Sequence, residues 1–323
     1  MNPPTAHVFS AIVLLVVGSI ADAQNKEGVE GVDFGSLKVS QLTAVIGNNN
    51  AMGEHRAWYN GLFSLSSPHQ GDSPFVPKYA GLNLEHYFDA GKRRTDRQVF
   101  FETRAIPMSF KRIDARTVEL RQVATPYWGV ESQATIQLTE PYYVDYRFRC
   151  WPRKEGLEGD LLGVFWASYI NGPLDKSIYF LSNGSTLDAP QWEQFYSQEH
   201  NLDSSLRHGS DSYRMPSVGE RDALWRDESP LRYSEPFFYG RFKNMVLIYI
   251  FKSQSLARFT TSPSGGGLSS DQTAMNPAWD FQLLIPDYQV NKEYGVDVRL
   301  VYKPWVDRAD VLEEARMYLD ETL

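Results

Sequence analysis

The chain has very little cysteine, no excess of positive charge and no second long apolar run, and each lack narrows what it can be. The single cysteine, Cys150, leaves nothing to form an internal disulfide, so the fold has to rest on its core. Cys150 shares parity with Val144, Tyr146 and Phe148, which predicts a buried small hydrophobe, and nothing nearby reads as a base that would activate it. A formal charge of −8 argues against nonspecific nucleic-acid binding, which needs a basic surface. There is no phosphate loop, dinucleotide fingerprint or Gly-x-Ser-x-Gly elbow, and Gly265-Gly266-Gly267, beside serines and a proline, reads as a flexible turn. Nothing beyond the first two dozen residues is long and apolar enough to span a bilayer.

The N-terminus carries one apolar run, Val8 to Ile20, followed by Ala21-Asp22-Ala23. The run falls short of the ~20 apolar residues a spanning helix needs, and the small-x-small triplet predicts a signal peptide over 1–23 with Gln24 as the new terminus. The atypical feature is that no Lys or Arg precedes the run. An exported protein, periplasmic or extracellular, is therefore expected. Cleavage would leave 300 residues (323 less 23), and loss of Asp22 moves the charge from −8 to −7. Residues 24–36 are polar and Gly-rich, which suits a flexible lead-in to one domain over 37–323.

What the chain has is aromatics (eight Trp, eighteen Tyr, eighteen Phe) and strand patterns. Ala134, Ile136 and Leu138 alternate, as do Val144, Tyr146, Phe148 and Cys150 against Asp145, Arg147 and Arg149. Met245 to Phe251 is continuously apolar, as in a strand buried on both faces. The one convincing helix is about Asp307 to Asp320, capped by Asp307, with Leu312, Ala315 and Leu319 as a narrow stripe. Many strands at short spacing with almost no helix predict an all-β protein. Two small sandwiches and one large antiparallel β-sandwich both fit the length; the lack of a linker favours one. Against this order stands the stretch 183–240, roughly sixty residues of weak periodicity that hold Trp192, His200, His208 and Trp225. A long aromatic-bearing loop on a β-scaffold is a common way to build a site.

Several phrases resemble the galactose-mutarotase-like supersandwich proteins: Tyr79-Ala80-Gly81-Leu82-Asn83-Leu84-Glu85-His86, Trp128-Gly129-Val130-Glu131-Ser132, Pro141-Tyr142-Tyr143-Val144-Asp145, Phe165-Trp166-Ala167-Ser168-Tyr169-Ile170-Asn171 and Asn276-Pro277-Ala278-Trp279-Asp280-Phe281. Their order spans roughly residues 40–303. The resemblance implies a supersandwich fold and a place among sugar epimerases, polysaccharide lyases, glycoside hydrolase domains and noncatalytic relatives. In the mutarotase pattern two histidines and a carboxylate open a sugar ring by acid–base transfer.

The candidates follow from residue chemistry. His86, beside Glu85, and His200 are imidazoles suited to proton transfer near neutral pH. Glu131 has the parity of Gln133 and Thr135 and should face away from the nearest apolar layer, into a cleft if that face is concave. Asp280 alternates with Gln282, opposite Phe281 and Leu283. These four are the expected acid–base set. Trp128, Trp166 and Trp192 would stack on sugar faces. Arg104 and Arg149 would hold an acidic group, since guanidinium binds carboxylate or sulfate in bidentate fashion. His208 would contact sugar; its eight-residue spacing from His200 matches no tight metal pattern, and no metal or organic cofactor is expected. The expected partner is carbohydrate, in finer terms an acidic polysaccharide. A lyase or epimerase, a noncatalytic glycan-binding module and an envelope interaction protein all stay open.

Overall fold

A computed structural model describes residues 33–218, 222–252, 257–268, 273 and 275–321. The expected leader and the lead-in up to residue 32 lie outside the described residues. The strands run β1 (Phe34–Lys38), β2 (Thr43–Gly47), β3 (Gly61–Ser66) and β4 (Asn83–Phe88). Two helical turns, α1 (Arg97–Phe100) and α2 (Glu102–Ala105), precede β5 (Ser109–Arg112), β6 (Thr117–Gln122), β7 (Val130–Thr139), β8 (Tyr143–Pro152) and β9 (Leu161–Ala167). Then come β10 (Ile178–Leu181), β11 (Trp192–Phe195), β12 (Ser205–His208), β13 (Glu228–Tyr233), β14 (Phe237–Phe242) and β15 (Met245–Phe251). The chain closes with β16 (Ala257–Ser262), β17 (Ala278–Pro286), β18 (Tyr294–Pro304) and α3 (Arg308–Asp320). Residues 34–36, expected in the lead-in, are already strand, and the stretch 183–240 holds short strands where none was expected.

Among the described residues a nine-stranded sheet has the order β11-β10-β14-β15-β18-β8-β7-β6-β5, and a six-stranded sheet the order β13-β12-β16-β17-β9-β4. A small sheet, β1-β2-β3, stands beside them. Pairing is antiparallel apart from β12 with β13. The protein is all-β, as its alternation predicts. Alternate residues of both large sheets meet in one apolar layer: Phe148 of β8 against Trp166 of β9 at 4.8 Å, and Phe251 of β15 against Phe281 of β17 at 5.0 Å. Cys150 is a free, buried thiol in this layer, and burial pushes its pKa well up, so it acts as a hydrophobe.

Strand β15 is buried throughout because both its faces are covered. Met245, Leu247, Tyr249 and Phe251 enter the inter-sheet layer, while Val246, Ile248 and Ile250 pack with residues of α3. Asp307 caps α3 by accepting from the Asp310 N–H at 2.9 Å. The buried stripe is Val311, Ala315 and Tyr318, with Leu312 and Leu319 only half-buried, so its centre lies beside the one expected. Buried Glu314 accepts hydrogen bonds from the Tyr142 and Tyr143 hydroxyls, both at 2.9 Å, and pairs with Lys303 at 2.6 Å.

The outer face of the six-stranded sheet is left to the 183–240 stretch, which is anchored by charge. Arg258 of β16 is fully enclosed and bonds Asp211 at 2.7 Å, Glu228 at 2.9 Å and the Tyr213 carbonyl at 2.7 Å. Arg207 pairs with the same Glu228 at 3.1 Å. A buried cation costs too much without partners, so the crossover is pinned where these carboxylates lie.

Candidate functional site

On that outer face lies a cavity of about 530 Å³. Its floor is built from Glu85 and His86 of β4, Phe165 and Ala167 of β9, Ala278 and Asp280 of β17, and Ser262 of β16. Regular alternation would send Glu85 and His86 to opposite faces of the sheet. It does not, because β4 carries a bulge: Leu84 stands opposite Trp166 and His86 opposite Phe165, leaving Glu85 as the extra residue. Both side chains therefore line the cavity.

Glu85 is the hub of the floor. Its carboxylate pairs with Arg104 at 3.2 Å and His86 Nε2 at 3.2 Å, and accepts from Asn83 at 3.1 Å and from the Tyr169 hydroxyl. Burial alone would raise its pKa; Arg104, His86 and Tyr169 overturn that and hold it at about 2. His86 Nδ1 lies 2.7 Å from the Phe100 carbonyl, so both its ring nitrogens face oxygen atoms. Arg104 comes from α2, donates to the Trp58 carbonyl, and stacks on Tyr59 at 3.9 Å and Phe101 at 4.5 Å. That carbonyl is aimed by an unusual backbone, since Trp58 sits at φ 78°.

Asp280 and His200 are less encumbered. Asp280 accepts from the Ser168 N–H at 2.9 Å, and burial raises its pKa well above the carboxylate range. His200 enters from the crossover and has Nδ1 at 3.2 Å from the Ser262 hydroxyl; burial, then the charge of Arg93, lowers its pKa. Strand register relates the two, because Thr260 stands opposite Asp280 and Ser262 opposite Ala278. Ser262 and Asp280 are diagonal neighbours on one face, about 7–8 Å apart. A carboxyl of raised pKa and a histidine of lowered pKa thus line one cavity.

Four arginines add positive charge to the lining. Arg93, Arg94, Arg97 and Arg104 all line the cavity. Arg94 is neutralised by Asp89 at 2.7 Å and Glu158 at 3.1 Å, and Arg104 by Glu85. Asp96 caps α1 by accepting from the Gln98 N–H at 2.7 Å, which fixes the turn carrying these arginines. The Ala223–Trp225 segment closes the rim, with Trp225 stacked on Phe88 at 4.7 Å.

No protein-family model matches the sequence, and no curated protein matches it either. The chain is similar in structure to galactose mutarotase and aldose epimerase-like proteins. One is a putative aldose 1-epimerase from Escherichia coli K12, with 8% identity over 85% of this chain and 100% of that one, at a TM-score of 0.47. A GalM/aldose epimerase homologue from C. elegans matches at 9% identity over 85% and 99%, TM-score 0.47. A galactose mutarotase related enzyme from Lactobacillus acidophilus matches at 11% over 84% and 97%, TM-score 0.41. Likeness at this level decides neither activity nor ligand.

Of the ten residues expected at the site, His86, His200, Asp280 and Arg104 come together in the cavity. The other six do not. Glu131 does face away from its apolar layer, but that layer belongs to the nine-stranded sheet; it pairs with Arg121 at 2.7 Å and Arg153 at 2.8 Å, far from the cleft face. Arg149 of the same sheet is held by Asp297 at 2.6 Å. Trp166 points into the inter-sheet layer with 0% exposure and bonds the Tyr146 hydroxyl at 2.9 Å, so it offers no face to a sugar. Trp128 is buried, its indole N–H donating to the Val99 carbonyl at 3.0 Å. Trp192 lies on edge strand β11 beneath Arg308, at 5.3 Å. His208 Nε2 donates to the Ser234 carbonyl at 2.9 Å, outside the cavity. Among the described residues no group of three or more His, Cys, Asp or Glu is placed to hold a metal ion. Cavity residues that sequence reasoning missed are Glu85, Tyr59, Tyr169, Trp225, Arg93, Arg94 and Arg97. The sequence signal for the arginines was the run Lys92-Arg93-Arg94 before the cap Asp96.

Proposed function

We propose that this is an exported carbohydrate-active protein that takes one unit of a glycan into the cavity and moves a proton on it. The observation that carries this is the pairing, in one cavity, of a carboxyl of raised pKa, Asp280, with a histidine of lowered pKa, His200. His200 accepts a proton from the sugar and Asp280 gives one to an oxygen, the exchange that both elimination and epimerisation need. Glu85, His86 and Arg104 form the fixed floor beneath. The aromatic side chains Tyr59, Phe100 and Trp225 supply flat apolar faces along the walls. The arginine excess suits an acidic polysaccharide, and export follows from the leader pattern over 1–23. No step calls for an organic cofactor.

A noncatalytic glycan-binding module is the second reading. It is favoured by the full engagement of Glu85 and His86 with protein partners, which leaves fewer groups free for chemistry.

The test is proton NMR of residues 24–323 mixed with neutral and acidic glycans. New unsaturated or anomeric signals, lost in His200→Gln and Asp280→Asn, support an enzyme. Saturation transfer without new signals moves the reading to a binding module. Silence with every glycan refutes the carbohydrate reading.

A further inference from the structure

Two cavity arginines stand apart from the rest. Among the described residues the guanidinium of neither Arg93 nor Arg97 has a carboxylate partner, whereas Arg94 has two and Arg104 has one. Arg93 instead lies over the Phe100 ring at 4.7 Å, and Arg97 over the Trp58 ring at 5.3 Å. Stacking on a ring orients a guanidinium without spending its in-plane N–H groups or its charge. One N–H of Arg93 reaches the Asp222 carbonyl at 3.4 Å; the Asp222 carboxylate itself accepts from the Arg93 main-chain N–H and pairs with Arg226 at 3.3 Å. The Arg97 guanidinium makes no hydrogen bond among the described residues; its main-chain carbonyl accepts from the Phe101 N–H at 3.0 Å. Arg93 is near enough to His200 for its charge to be felt there, and both arginines line the same cavity as that histidine.

We infer that Arg93 and Arg97 form an oxyanion subsite of the cavity that takes a carboxylate or sulfate carried by the bound sugar. This rests on the glycan reading above and deepens it. Guanidiniums presented edge-on are matched to planar or tetrahedral oxyanions. The ring beneath Arg97 belongs to Trp58, whose left-handed backbone at φ 78° is a strained conformation for a bulky residue, as found where a fold sacrifices local ease to place a group.

The experiment is calorimetric titration of the full mature chain with a polyuronate tetrasaccharide, its carboxyl-reduced neutral counterpart and a sulfated tetrasaccharide. Wild type should prefer an acidic sugar over the reduced one, and Arg93→Gln with Arg97→Gln should erase a preference of roughly ten- to a hundredfold while sparing the neutral sugar. The preferred acidic sugar tells carboxylate from sulfate. Equal binding of acidic and reduced sugars, or a preference that survives the double variant, overturns the subsite and leaves the glycan reading intact. If no sugar binds, inorganic sulfate is followed through the His200 NMR signals. A shift in wild type that is missing in the double variant supports the anion subsite and retires the glycan reading; no shift overturns both.

Discussion

Replacing Glu85 by Gln tests the account of the cavity floor without any knowledge of the ligand. In the fold this carboxyl ionises at about 2, against an ordinary 4.5. That difference contributes about 3 kcal/mol at neutral pH. A second route to the magnitude is the charge left behind: Arg104 is buried, and removing one partner of a buried pair costs about 3–5 kcal/mol. The two agree, and for a chain of this size they amount to a loss of roughly 5–8 °C in melting temperature. The sign with pH is fixed, because a depressed carboxyl pKa stabilises above its unfolded value and stops doing so as pH falls through its folded value. The gap between wild type and Glu85→Gln should therefore be full at neutral pH, begin to close below 4.5 and be largely gone near 2. Differential scanning calorimetry of both proteins across that range reads it directly. A gap of less than about 2 °C at neutral pH, or one that stays constant into acid, would refute the network as the source of the depressed pKa.

Other expectations follow from neighbouring features. If the protein turns over a glycan, the acid limb of its rate profile should have its midpoint below 6.5, since burial and Arg93 lower His200; a midpoint above 6.5 would exclude His200 as the base. Arg258→Ala leaves buried Asp211 without its counter-charge and takes one of the partners of Glu228, and should cost about 3–5 kcal/mol, seen as a lower melting temperature and faster proteolysis of the 183–240 stretch. An Arg258→Ala protein that melts like wild type would remove the anchor from the argument. Trp58→Gly and Trp58→Ala both lose the ring, but only Gly relieves the backbone at φ 78°, so the Gly variant should melt above the Ala variant by about 2–4 °C. Equal melting would mean that the backbone there is not strained.

Local periodicity carried much of the fold and rather little of the site. Val144, Tyr146, Phe148 and Cys150 are buried as their parity says, and the unbroken apolar run of β15 correctly announces cover on both faces. The cap at Asp307 is a local interaction and is legible for that reason. Glu131 shows the limit: parity says outward, but which sheet's outside is decided by strand order, a long-range property that no two-residue period encodes. Trp128 and Trp166 carry ring chemistry that suits sugars and cores alike, and burial assigned both to the core. Glu85 escaped because the reasoning that finds cleft residues assumes alternation, and the bulge suspends it.

That bulge has a consequence for how such a cavity can change. Its chemistry depends on how many residues lie between Leu84 and the partner of Phe165, not only on which ones they are. Deleting Glu85 alone would return β4 to an even ladder with Leu84 still opposite Trp166 and His86 still opposite Phe165. The sheet would keep its pairing and its apolar layer, while Arg104 would lose its counter-charge and His86 and Tyr169 a shared hydrogen-bond acceptor. A one-codon change in length is thus enough to make the cavity floor more positive by one charge, giving one scaffold a route between ligands of different charge that no substitution need open.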